Sequence, residues 1–319
     1  MRLVFCGTPQ FAVPTLEALA GAHEVALVVT QPDRPRGRGM EVALPPVKKK
    51  ALELKLPVAQ PEKIKNNDEF RAAVERIAPG AIIVVGYGRL IPRWMLDLPR
   101  HGNLNLHASL LPKYRGAAPI QWAIARGESV TGNTIMRLDE GLDTGPILLQ
   151  REEAIRPDDT APTLSPRLAA MGAELMLEAM LGLEQGGITP RAQDNAQATL
   201  APILKKEDGL IEWGRSAAEI RDRMRGFQPW PGAYTTFRGK TLNITAAAVH
   251  ALPERRPGGP IEPPLAPGFL RVEQGRLLAG CGGNTALELT ELQPEGKRRI
   301  SARDFLNGYR VRSGDRVGS

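Results

Sequence analysis

Arg2-Leu3-Val4-Phe5-Cys6-Gly7-Thr8-Pro9-Gln10-Phe11-Ala12-Val13-Pro14, followed by Glu24-Val25-Ala26-Leu27-Val28-Val29-Thr30, decides the fold class. Arg2 to Cys6 is a short apolar run that meets the turn signal Gly7-Thr8-Pro9. Phe11 to Ala20 has helical spacing, and Glu24 to Thr30 is again apolar and β-branched. Strand, helix and strand in so short a length make a βαβ unit, whose two strands run parallel in one sheet. The rhythm repeats: Ala81 to Val85, Asn103 to His107 and Thr134 to Leu138 read as strands, and Pro46 to Leu54, Asp68 to Arg76 and Pro119 to Arg126 as helices. The expected architecture is α/β, a doubly wound and mostly parallel sheet that takes its ligand at the carboxyl ends of its strands.

From Thr160 a longer helix places Leu164, Leu168, Met171 and Leu175 on one stripe, then stops near Gly186-Gly187. This gives a first domain over 1–188, a linker over 189–205 and a smaller second domain over 206–319. In the second, Ser216 to Arg225 looks helical, and short strands with Gly/Pro punctuation follow. Six prolines between Pro253 and Pro267 predict an exposed irregular loop, and Arg303 to Asn307 a short helix after a Ser301 N-cap. There is no internal repeat or heptad run.

A chain of 319 residues exceeds the usual size of one domain, roughly 100 to 200 residues. With 42% hydrophobic and 24% charged residues, and no apolar run near the roughly 20 residues of a membrane span, it reads as a globular chain with no membrane partner. Met1 to Pro9 reads as a buried strand entering a turn rather than a secretory leader, which predicts a cytoplasmic location. Cys6 and Cys281 are too few for a disulfide framework or a cysteine metal site. His23, His101 and His250 lack acidic or cysteine neighbours at ligand spacing, so no metal is expected. Net charge is +7, and residues 201–319 hold 19 Lys/Arg against 13 Asp/Glu, whereas residues 1–200 are nearly balanced. A basic second domain suits a polyanion, although an Arg-rich composition without a partner gives the same balance.

Chemistry concentrates in Gly102-Asn103-Leu104-Asn105-Leu106-His107-Ala108-Ser109-Leu110-Leu111-Pro112. Strand alternation puts Asn103, Asn105 and His107 on one face and Leu104, Leu106 and Ala108 on the other. A polar row on a central strand is either a satisfied buried network or a site. The second cluster is Arg137-Leu138-Asp139-Glu140-Gly141-Leu142-Asp143-Thr144-Gly145, a strand running into a glycine-bracketed loop. An Asp beside an imidazole favours its charged form and fixes its orientation, while an amide donor stabilises an oxyanion. That set suits acyl transfer to an amine without a protein nucleophile. Ser109, His107 and Asp143 also admit a hydrolase triad, but Ser109 is not on a G-x-S-x-G elbow. After Arg2 to Cys6 the G-x-G-x-x-G spacing is absent, so a dinucleotide site is not expected.

These residues resemble the folate-dependent formyltransferases. Asn105, His107 and Asp143 match the family's Asn, His and Asp around the formyl carbon, and Ser109-Leu110-Leu111-Pro112 matches its tetrahydrofolate-binding stretch. The likeness continues through Lys113-Tyr114-Arg115-Gly116-Ala117-Ala118-Pro119-Ile120-Gln121 and through Gly141 to Gly145. It implies a Rossmann-like catalytic domain, 10-formyltetrahydrofolate as co-substrate and no metal. Leu90, Ile91, Leu138 and Asp139 are the further folate contacts that it implies, with Gly86-Tyr87-Gly88-Arg89-Leu90-Ile91-Pro92 near the pterin.

Within that superfamily the details are similar to the members that formylate methionyl-tRNA. Gly7-Thr8-Pro9-Gln10-Phe11-Ala12-Val13-Pro14 and Gln31-Pro32-Asp33-Arg34-Pro35-Arg36-Gly37-Arg38-Gly39 resemble their opening turn and their tRNA-contacting insertion. Phe227-Gln228-Pro229-Trp230-Pro231-Gly232-Ala233-Tyr234-Thr235 resembles the start of their OB-like, β-barrel tRNA-binding domain. The resemblance implies initiator methionyl-tRNA as partner, a monomer, and Arg34, Arg36, Arg38 and Lys48 as tRNA contacts. Transfer to a sugar or small amine is the rival activity, and tRNA binding without catalysis the rival class. The mechanism it implies is attack by a neutral amine, with Asn105 and His107 donating to the oxyanion and Asp143 holding His107.

Overall fold

In a computed structural model of the chain, residues 1–36, 41–250 and 265–318 are described. Arg38 lies outside them, as does most of the expected proline-rich loop. The chain divides into two compact units, one of Met1–Ile120, Val130–Ile155 and Thr163–Ile203, the other of Gln121–Ser129, Arg156–Pro162 and Leu204–Ser319.

In the first unit the strands are β1 (Arg2–Gly7), β2 (Glu24–Val29), β3 (Arg34–Arg36), β4 (Glu41–Ala43), β5 (Val58–Ala59), β6 (Ala81–Val85), β7 (Asn103–His107), β8 (Val130–Arg137) and β9 (Ile147–Ala154). Seven of them form one sheet in the order β5-β2-β1-β6-β7-β8-β9. The pairs from β5 to β7 are parallel, as the βαβ rhythm predicts. β8 runs antiparallel to both β7 and β9, so the expected strand at 134–138 is longer and reversed, and β9 has no counterpart in the sequence reading. The Arg34–Arg36 end of the predicted loop pairs with Glu41–Ala43 as a separate two-stranded ribbon.

The sheet is covered on both faces, and strand alternation sorts its core. Leu3, Phe5, Ile83, Leu104 and Leu106 pack with Met176, Ala179 and Met180 of the helix Ala161–Glu184. Val4, Cys6, Ile82 and Val84 pack the other way, with Phe70 and Val74 of the helix Asp68–Ile77. Asn67 caps that helix by accepting from the Phe70 amide at 3.0 Å, and Asp68 and Glu69 suit the partial positive charge of its first turn. Burial on both faces explains why β1 and β6 read as continuous apolar runs, each large side chain contributing about 1.5–3 kcal/mol.

The second unit holds β10 (Tyr234–Phe237), β11 (Lys240–His250), β12 (Leu270–Glu273), β13 (Arg276–Cys281), β14 (Thr285–Pro294) and β15 (Ile300–Ser301). Their order is β10-β11-β14-β13-β12, with β15 on β14, and every pair is antiparallel. The tail closes the sheet: the amides of Gly318 and Val317 donate to Thr236 O and Gly268 O at 2.9 and 2.8 Å, and Leu270 N donates to Asp315 O at 2.8 Å. A short final segment thus bridges both edges and gives the expected small barrel. Its core contains Trp213, Phe237, Leu277, Cys281, Leu287 and Phe305. Ser216 and Ser301 cap the helices Ala217–Gly226 and Ala302–Tyr309, the second where the sequence places its cap. Among the described residues no helix is long and apolar enough to cross a membrane.

Candidate active site

β7 carries the polar row on the face opposite Leu104 and Leu106. Asn103, Asn105 and His107 are 2%, 8% and 6% exposed, so each must find partners inside the protein or from a ligand. The Asn103 amide nitrogen has a structural use: it donates to Met95 O at 2.9 Å and Leu96 O at 3.0 Å, the free carbonyls of the helix Arg93–Leu96, while its Oδ1 is buried without a partner. The Asn105 amide makes no hydrogen bond among the described residues. It is the open donor of the row.

His107 is oriented from both sides. Its Nε2 lies 2.9 Å from Tyr114 O, and since a carbonyl only accepts, that nitrogen carries the hydrogen. Its Nδ1 then faces the Asp143 Oδ2, 3.7 Å away. The Asp143 carboxylate is fixed in turn by the Gly116 amide, which donates to Oδ2 at 2.9 Å. Asp143 itself holds φ 52°, a left-handed conformation that Asp tolerates better than most residues. His107 and Asp143, far apart in sequence, therefore meet as the sequence reading expects, with one difference. Nε2 is occupied, so only Nδ1 is left for chemistry, and it donates only when the ring is protonated.

Ser109 is fully buried, and its hydroxyl donates to Lys113 O at 2.7 Å. It shapes the turn rather than completing a nucleophilic triad. Leu111 N donates to Thr134 Oγ1 at 3.1 Å, which pins the Ser109–Pro112 stretch to β8 with Leu110 half-buried at its surface. Asp139 closes the following loop on itself, accepting from Gly141 N at 3.0 Å and Thr144 Oγ1 at 2.7 Å. Leu138 N donates to Asn103 O at 2.8 Å. Leu90 is 86% exposed and Leu142 61%, whereas Ile91 packs partly against the core. The loop bearing Leu90 is tied down by Thr8 and Gln31, whose side chains donate to Tyr87 O at 3.3 and 3.0 Å.

Residues 1–180 match the family described as formyl transferase, and residues 203–310 match the formyl transferase C-terminal domain. The chain belongs to the formyl transferase family. A methionyl-tRNA formyltransferase of Acidobacterium capsulatum is 63% identical over the whole of both chains, and one of Koribacter versatilis is 62% identical over 100% of this chain and 99% of its own. A solved N-formyltransferase from Helicobacter canadensis, in complex with folinic acid and dTDP-3-aminofucose, shares the fold at a TM-score of 0.64 and 17% identity. That match covers 92% of this chain and 98% of the solved one.

In this formyltransferase the residues predicted as tRNA contacts lie in different surroundings. Arg34 is exposed at the start of β3, while Arg36 lies on β3 and Arg38 falls outside the described residues. Lys48 is engaged: its Nζ lies 2.5 Å from Asp33 Oδ2, while Gln60 donates to Asp33 Oδ1 at 2.7 Å. Those bonds, from Lys48 first and then Gln60, hold the Asp33 carboxyl below its ordinary 3.8. Lys48 therefore clasps the foot of the β3–β4 ribbon. The sequence reading missed Arg115 and Gln193. Arg115 is 7% exposed and donates to Gln193 Oε1 from Nε at 3.0 Å and from Nη2 at 2.7 Å. Arg115 stands out in the sequence only as part of a longer motif, and Gln193, in a polar linker-like stretch, gives no local signal. Among the described residues no group of three His, Cys, Asp or Glu is placed to hold a metal.

Proposed function

We propose that this chain transfers the formyl group of 10-formyltetrahydrofolate to the α-amine of methionine on initiator tRNA. The observation that carries the reading is the buried Asn105 amide, unpaired among the described residues, beside an imidazole held between Tyr114 O and the Asp143 carboxylate. Such a site stabilises an oxyanion and moves a proton, and it contains no nucleophile of its own. The exposed Leu90 and Leu142 suit a flat heterocycle, as do the Ser109–Pro112 turn and the Leu138–Asp139 backbone. The co-substrate supplies an N-formyl carbon open to attack by an amine.

The attacking α-amine is neutral in good part near its ordinary value of about 7.7–8.0. Asn105 donates to the oxygen on which charge develops, a contribution of about 3–4 kcal/mol for one such donor. The amine nitrogen bonds to the formyl carbon, and His107 Nδ1 accepts the amine proton. The resulting imidazolium is held between Tyr114 O and the Asp143 carboxylate, and its Nδ1 proton passes to the folate nitrogen as the bond from that nitrogen to the formyl carbon breaks and tetrahydrofolate leaves. The sequence reading made His107 a donor from the start, and the occupied Nε2 supports this order instead.

The domains at 1–188 and 206–319 divide the work, the first binding folate and offering Arg34, Arg36 and Arg38 to tRNA, and the second, basic one also binding tRNA. The enzyme acts as a monomer in the cytoplasm. The test compares formyl transfer to methionyl initiator tRNA, methionyl elongator tRNA and free methionine. Strong preference for the initiator is expected. Formate release without any acceptor would overturn the reading.

A further inference from the structure

Gln193 sits in the 189–205 stretch that the sequence reads as a linker, yet its amide is engaged at both ends. Nε2 donates to two carbonyls of the catalytic loop, Asp143 O at 2.8 Å and Gly145 O at 2.7 Å. Oε1 accepts both hydrogen bonds from the buried Arg115. Guanidinium groups only donate and carbonyls only accept, so one orientation of the amide satisfies all four contacts. Arg115 is itself locked, with Nη2 on Asn195 Oδ1 at 2.8 Å and its backbone paired to Thr199 O and the Ala201 amide at 2.8 and 2.7 Å. The next residue, Gly116, holds the Asp143 carboxylate. One framework therefore grips Asp143 by both its main chain and its side chain, at a residue whose left-handed φ persists only where the surroundings impose it.

We infer that Gln193 is a positioning residue for formyl transfer, acting through the Asp143 and Gly145 carbonyls to keep the Asp143 carboxylate opposite His107 Nδ1. The inference rests on the proposed roles of Asp143 and His107. A linker residue thus belongs to the catalytic apparatus without touching substrate.

The test uses the full chain with Gln193→Met, which has the length but no polar atoms, and Gln193→Glu, which keeps acceptors for Arg115 but has none of the amide's donors. Turnover on methionyl initiator tRNA is read together with hydrogen exchange of the peptide spanning 139–147 and the melting temperature. Both variants are expected to lose about 10- to 100-fold in kcat, with KM for tRNA within about threefold. Exchange across 139–147 should accelerate while β7 stays protected. Wild-type kcat in Gln193→Glu would mean that the residue only accompanies Arg115, and faster exchange at unchanged kcat would mean that loop position does not govern the chemistry. Either overturns the inference. If the unmodified enzyme formylates no tRNA, the proposed function fails instead, and the exchange comparison still decides whether Gln193 holds the loop.

Discussion

Asn103 and Asn105 stand two residues apart on one face of one strand and do opposite work. Alanine at Asn105 removes no hydrogen bond found among the described residues, so the melting temperature should hold while kcat falls about 10²–10³-fold. Alanine at Asn103 strands the Met95 and Leu96 carbonyls, a loss of about 1–3 kcal/mol in stability, and should leave turnover per folded molecule unchanged. Thermal melts and steady-state kinetics on the pair separate the roles; equal effects on both quantities would contradict them. The sequence displayed the row, because alternation alone puts the asparagines on one face. It was silent on which amide nitrogen was paired, since the partner carbonyls belong to a short helix whose position depends on tertiary packing.

At the scale of elements, the bend between β8 and β9 carries the site. A Cβ on Gly145 would collide with the Arg137 carbonyl, which caps the close approach of the two strands where they enter the loop. Gly145→Ala is expected to destabilise the first unit by about 1–3 kcal/mol and to lower kcat further than stability accounts for, because Gln193 grips the same peptide. Chemical denaturation and turnover on the folded fraction check this, and an unchanged kcat would separate the bend from the chemistry. The bend was only half legible. β9 reads Ile-Leu-Leu-Gln-Arg-Glu-Glu-Ala, buried on both sides for two residues and then half wet as an edge strand, so neither a continuous nor an alternating apolar pattern announces it. β1 and β6 were legible because burial on both faces leaves them uniformly apolar.

Across the whole molecule, the two halves fold around separate cores, and the barrel illustrates what a sequence conceals. Its closure rests on backbone hydrogen bonds of Asp315 to Gly318, and backbone groups are common to all residues. The helix cap Ser301 was easier to read, since a hydroxyl three residues before an acid has a specific local use. Gln193 lay beyond reach for the opposite reason: its partners are 48, 50 and 78 residues away.

Each half also contains one cysteine, Cys6 in the first core and Cys281 in the second, both free and buried. Burial pushes both thiols up, Cys281 to about 12 from an ordinary 9.0. A raised value favours the folded state below 9.0 and is lost as pH climbs toward about 12, so the second unit should weaken across that alkaline window and not below it. Near neutrality neither thiol should react with iodoacetamide until its own core opens. Mass spectrometry of the two tryptic peptides would then give two independent clocks in one tube, timing how each half comes apart with no dye, tag or substitution introduced. Rapid alkylation of both in the native enzyme would refute the burial. Two different rates would reveal which core yields first.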